Sequence, residues 1–163
     1  SKEGFILSAI INAYALEKYE EAIGDLDNAL DIDNEYAYAY ALKAEIFYFD
    51  LGGSLAKSQG YLEKAINLSP DDPHIHFVAG DIQFDNGFVV LGGDTFDLDK
   101  KSRNKKDLSL KSFEDAKKSF EKTLANIDNE SFKNSLSEST FILGTRYYTT
   151  ALLADTKFEH YNN

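Results

Sequence analysis

Residues 19–32 read YEEAIGDLDNALDI, residues 55–68 read LAKSQGYLEKAINL and residues 113–126 read FEDAKKSFEKTLAN. Laid over one another, Tyr19, Leu55 and Phe113 coincide, as do Ala22, Ser58 and Ala116, then Leu26, Leu62 and Phe120, then Ala29, Ala65 and Thr123, and finally Leu30, Ile66 and Leu124. The second copy lies 36 residues after the first, and the third 58 after the second, which is one period plus an insertion. Within each copy the apolar side chains recur at i, i+3, i+4 and i+7, the stripe of an amphipathic helix. The small side chains on that stripe let a neighbouring helix approach closely, while Leu26, Leu62 and Phe120 fill the space between helices.

Each copy follows another helical stretch. Tyr36 to Leu51 is rich in Ala and aromatics and runs into Gly52-Gly53, a stop signal, with Ser54 as the expected cap of the next helix. Pro73 is expected to open a helix, where its missing N–H costs nothing, and Asn86-Gly87 to close it. The pattern is helix, short turn, helix, repeated, and it predicts an all-α right-handed superhelix of helix pairs. No single pair can bury its apolar face alone.

These residues resemble the tetratricopeptide repeat family, whose period is about 34 residues. The middle copy carries the resemblance best, with Gly53, Leu62, Ala65, Leu68 and Pro70-Asp71-Asp72; the first keeps Tyr19, Ala22 and Ala29, and Leu143-Gly144 with Tyr147 resembles the start of a further repeat. Ser58 in place of Ala, Asn34 in place of Pro and Glu45-Ile46 in place of Leu-Gly depart from the pattern. The resemblance implies one domain over 1–163. The domain it implies is a helical-repeat solenoid with repeats at 3–36, 39–72 and 73–128, an insertion at 88–107, and a capping helix over 135–160.

The resemblance also implies a concave groove lined by the first helix of each repeat. On that register the partner-binding positions are Leu7, Ile11 and Tyr14, then Tyr40, Lys43, Phe47 and Asp50, then His74, Phe77, Asp81, Phe84 and Asp85, and finally Phe141, Thr145 and Tyr148. The expected groove is aromatic with an acidic stripe. Its partner is then a protein or peptide that is apolar with basic residues. Family members that hold the C-terminus of heat-shock chaperones use Lys, Asn and Arg, whereas the matching places here carry Leu7, Ile11, Ala44, His74 and Val78, so that partner is not expected. An aromatic stripe at helical spacing also has a plainer reading as core.

Composition narrows the function classes. The chain has 163 residues, 43% apolar, with no Cys, no Met and a net charge of -11. The absence of Cys removes disulfides and thiolate chemistry, and the acidic balance argues against nucleic acid. No apolar run reaches the roughly 18 residues of a membrane span, so no membrane contact is expected. The start at Ser1 and the lack of Met read as a piece of a longer protein. Charge is uneven, with -8 net over residues 20–50 and +5 over 100–122. No stacking aromatics interleave its basic residues, since Phe113 and Phe120 belong to the repeated apolar stripe, and the stretch reads as a solvated helix face.

Residues 88–98 read as two β-prone runs about Gly92-Gly93, a candidate hairpin acting as a lid or as a mobile loop. Asp94, Asp97 and Asp99 lack the spacing and downstream Glu of a calcium loop. His74-Ile75-His76 places two imidazoles on different faces of a helix, and no nucleophile elbow or phosphate loop occurs. No enzyme activity, catalytic residue, metal or cofactor is therefore expected. The expected function is a non-catalytic protein–protein interaction module. The alternatives are a structural self-assembly module, which makes homo-oligomers, and a non-catalytic part of a larger bacterial secretion or enzyme complex.

Overall fold

The computed structural model describes residues 1–52, 55–91, 100–128 and 149–154. All regular structure among them is helical: α1 (Lys2–Ile10) running into a π-helical turn (Ile11–Ala15), α2 (Tyr19–Ile32), α3 (Ala37–Phe49), α4 (Leu55–Leu68), α5 (Pro73–Leu91) and α6 (Lys100–Asn126). Residues 149–154 are helical as well. The chain divides into two compact units, Ser1–Pro70 and Asp71–Asn163.

In the first unit α1 packs on α2, α2 on α3 and α3 on α4. Its core takes Ile6, Ala9 and Ala13 from α1 and the π turn, Ala22, Leu26 and Ala29 from α2, and Ala39, Leu42 and Ile46 from α3. Ala22, Ala29, Ser58 and Ala65 are buried completely, which is the close approach that the repeated small positions predict. The Ser1 hydroxyl accepts from the Gly4 N–H and starts α1. After α3 the chain turns through Gly52, whose φ of +60° favours a residue without Cβ.

In the second unit α5 and α6 lie antiparallel. Asp72 caps α5, its carboxylate accepting from the N–H groups of His74 and Ile75, and Pro73 takes the first helical position. Gly80 and Gly87, seven residues apart on α5, form two notches that receive the rings of Phe120 and Phe113, also seven apart on α6. Asn86 Nδ2 donates to Ser112 Oγ at 2.8 Å, and Ser109 Oγ donates to the Gly87 carbonyl at 2.8 Å.

Three expectations are corrected here. Asn86-Gly87 does not close α5, because Gly87 is a packing notch and the helix continues to Leu91. Phe88 to Leu91 are therefore helical, so the first strand of the expected hairpin does not form, and Gly92 to Asp99 lie outside the described residues. The expected insertion is narrowed from its other side too, since α6 starts at Lys100 and takes in residues 100–107. Lys and Arg are good helix formers and need no apolar stripe to continue a helix that is anchored further along.

Candidate interaction surface

α1 has one buried face, formed by Ile6 and Ala9, and one bare face. Leu7 is 55% exposed, Ile11 46% and Tyr14 53%, and Leu16 beyond them is 53% exposed. The π turn determines where the end of this line points. A π turn holds one extra residue relative to an α-helix, so it rotates everything after it. Here Leu16 N–H donates to the Ile11 carbonyl and Lys18 N–H to the Asn12 carbonyl, while Asn12 Nδ2 donates to Asp25 on α2 at 2.8 Å. Glu17 closes the segment at φ +55°, a left-handed conformation costly for a residue with a Cβ.

Tyr14 reaches α3 by this route. The Glu45 carboxylate lies near its hydroxyl, and burial of that end, followed by the neighbouring Glu45 charge, raises the phenol pKa far above its ordinary value. Asp50 and Tyr38 stand within electrostatic reach of the same hydroxyl. Burial, and then the nearby Asp50 charge, raise the Tyr19 phenol, and burial raises the Asp50 carboxyl while the neighbouring Tyr19 hydroxyl opposes that rise. Glu45, Tyr19, Tyr38 and Leu16 thus join the site, although the sequence register omitted them. The i, i+7 spacing of Tyr38 and Glu45 was the available signal.

The groove positions expected on α3 face elsewhere. Tyr40 and Lys43 are buried, at 7% and 6% exposure, and Phe47 is half-buried. All three belong to a seam with α4. The Tyr40 hydroxyl donates to the Asn34 carbonyl and Lys64 lies over its ring at 4.3 Å. Lys43 is paired with Asp27 and lies 5.0 Å from the Tyr61 ring centre, while Phe47 stacks on Tyr61 at 5.6 Å under Lys57. The correction has a simple cause. α3 is apolar nearly all round, so spacing alone leaves its rotation undetermined.

In the second unit Phe77 and Phe84 are likewise packing residues. Phe77 lies 6.3 Å from Phe120, and Phe84 lies 5.8 Å from Phe113 and 6.5 Å from Phe120. Asp81 and Asp85 are half-buried one turn apart on α5. Burial, and then the Asp85 charge, push the Asp81 carboxyl up to about 6. His74 is half-buried, and desolvation lowers its pKa to about 4. Phe141, Thr145 and Tyr148 lie outside the described residues.

Among the described residues no group of three or more His, Asp or Glu side chains could hold a metal ion, and no helix is long and apolar enough to cross a membrane. No family model matches the chain, and no curated protein or solved structure matches it.

Proposed function

We propose that the protein is a non-catalytic interaction module of stacked helix pairs, built like the tetratricopeptide repeats its sequence resembles, which seats a protein partner on the bare face of α1. One observation carries this reading: Leu7, Ile11 and Tyr14 stand in line and about half exposed on a helix whose opposite face is buried. Scattered exposed apolar residues are ordinary, but a contiguous line of them marks a surface that gains by being covered. The strained Glu17 and the π turn beside it point the same way, because such features concentrate at functional sites. Self-assembly through this face is disfavoured, since an antiparallel two-fold contact would bring Glu3 of one copy near Glu17 of the other.

The test is a selection of helical and extended peptides against the whole chain, followed by titration of Leu7→Ser and Ile11→Ser. Each truncation removes about 1 kcal/mol of apolar burial, about fivefold in affinity, and leaves the melting temperature nearly unchanged because both side chains are already exposed. Selected peptides that bind both variants as tightly as the native chain would remove α1 from consideration.

A further inference from the structure

We infer that the seam between α3 and α4 carries a second docking site, independent of the α1 face, and that its occupant is an acidic helix of a partner protein whose Asp or Glu side chains meet Lys57 and Lys64. Three cation–ring pairs run along this seam. Lys64 lies 4.3 Å from the centre of the Tyr40 ring, Lys43 5.0 Å from that of Tyr61 and Lys57 3.9 Å from that of Phe47, and Phe47 stacks on Tyr61 at 5.6 Å. Ring and cation change helices at each step, since α3 supplies Tyr40, Lys43 and Phe47 while α4 answers with Lys64, Tyr61 and Lys57.

The middle pair is structural and the outer two face water. Lys43 is buried and bonded to Asp27 of α2, which neutralises it within the fold. Lys57 and Lys64 are exposed, and among the described residues no carboxylate forms an ion pair with Lys64. A lysine ammonium has three N–H donors and turns only part of itself to a ring, so its outer side can meet a carboxylate. The ring also fixes where the ammonium stands, which lowers the side-chain entropy lost when an anion binds. Lys105 and Lys111 of α6 are exposed as well, but neither lies over a ring among the described residues. The spacing selects a helix. Lys57 and Lys64 are two turns apart on one face of α4, roughly 10 Å at about 1.5 Å per residue. Acidic residues at i and i+7 of a partner helix share one face at that distance, whereas three residues of extended chain cover it with their end side chains on opposite faces. Tyr61 stands half-buried between the two lysines and offers its ring to an apolar residue at i+3 or i+4 of the partner. Glu63 is exposed but adjacent in sequence to Lys64, so it points to a different side of α4.

The experiment uses three peptides of about four helical turns, alike except for Glu, Gln or Lys at i and i+7 on either side of a leucine. Each is titrated at two salt concentrations against the native chain, the pair Lys57→Gln and Lys64→Gln, Phe47→Leu, Ile11→Ser, and a control pair Lys105→Gln and Lys111→Gln, with melting curves to show that every variant is folded. The expected result is that the Glu peptide binds about tenfold more tightly than the Gln peptide, with the Lys peptide weakest, and that salt narrows the difference. The Lys57/Lys64 pair should lose about tenfold for the Glu peptide and little for the Gln peptide. Phe47→Leu, which keeps both cations and removes one ring, should lose about threefold. The Lys105/Lys111 pair and Ile11→Ser should each change binding by less than about twofold. Equal losses from the two lysine pairs would overturn the seam, and so would a Glu peptide that binds no better than the Gln peptide or not at all. Dependence on Ile11 in place of the lysines would overturn the seam and leave the α1 face standing. A single-stranded oligonucleotide that binds more tightly than the Glu peptide would overturn the acidic helix in favour of a nucleic acid. Self-association of the native chain that the Lys57/Lys64 pair abolishes would overturn it in favour of a second copy.

Discussion

Gly80→Ala is expected to destabilise the second unit, although the same change in an open helix stabilises. A Cβ built on Gly80 lies 2.3, 2.5 and 3.0 Å from three carbons of the Phe120 ring. Carbon atoms rest at about 3.5 to 4.0 Å, so the ring or the helix must move by more than about 1 Å. Phe120 cannot yield cheaply, since it is fully buried in a cluster with Ala116 and Leu152, against Phe77 and Phe84. Overpacking of this kind costs about 1 to 3 kcal/mol, and a displacement this large belongs near the top of that range. Helix propensity returns about 1 kcal/mol for replacing Gly by Ala. The net expectation is a loss of about 2 kcal/mol. Gly24 and Gly60 provide the control, because a Cβ at either meets nothing within 4 Å, and Ala there should raise stability by up to about 1 kcal/mol. Urea unfolding followed by circular dichroism at the helix band measures all three. In a double-mutant cycle, Phe120→Leu removes the ring carbons that clash, so the pair should cost less than the two single changes together by about 1 kcal/mol or more. A Gly80→Ala variant as stable as Gly24→Ala, or strict additivity with Phe120→Leu, would refute the notch.

Ser58 is buried completely and its hydroxyl has no hydrogen-bond partner among the described residues, so Ser58→Ala should raise the unfolding free energy by about 1 kcal/mol; a lower melting temperature would count against the packing described for α4. For Asp81 the folded carboxyl sits at about 6, above its unfolded value of about 4. The native state therefore holds the proton more tightly, and stability falls as pH rises from about 4 to about 6. Asp81→Asn should be more stable than the native chain at pH 7 by roughly 1 to 2 kcal/mol and equal to it near pH 4. A difference between the two that stays constant across that range would exclude Asp81 as the titrating group.

The second helix of each pair was legible because it is amphipathic in one direction only. In residues 19–32 and 55–68 the small and large positions leave a single rotation that buries Ala22, Leu26 and Ala29, or Ser58, Leu62 and Ala65, and the helices occur at those bounds. α3 and α5 offer no such direction. Tyr40, Phe47, Phe77 and Phe84 could each face a partner or a neighbouring helix by spacing alone, and packing turned all four inward. Gly87 was misleading because the residue that frees a backbone to end a helix also admits a ring, and only Phe113 across the pair distinguishes the two. On α1 Leu7, Ile11 and Tyr14 are about half exposed, while Glu17 and the π turn left no trace in the sequence, since Leu16-Glu17-Lys18 contains neither Gly nor Asn.

The π turn at Ile11–Ala15 can also be viewed as a one-residue insertion that α1 absorbed without breaking. Most helices punish a change of length by rotating everything downstream about 100° onto the wrong face. Here the surplus is confined between the Asn12–Asp25 hydrogen bond and the left-handed Glu17, so α2 keeps its phase. Excising a single residue from this turn would regularise α1 and rotate its exposed end, at the expense of the Asn12–Asp25 hydrogen bond and the buried Ala13. A sequence-length change at this place in the chain is therefore expected to re-aim the exposed end of α1 at a cost in its packing against α2.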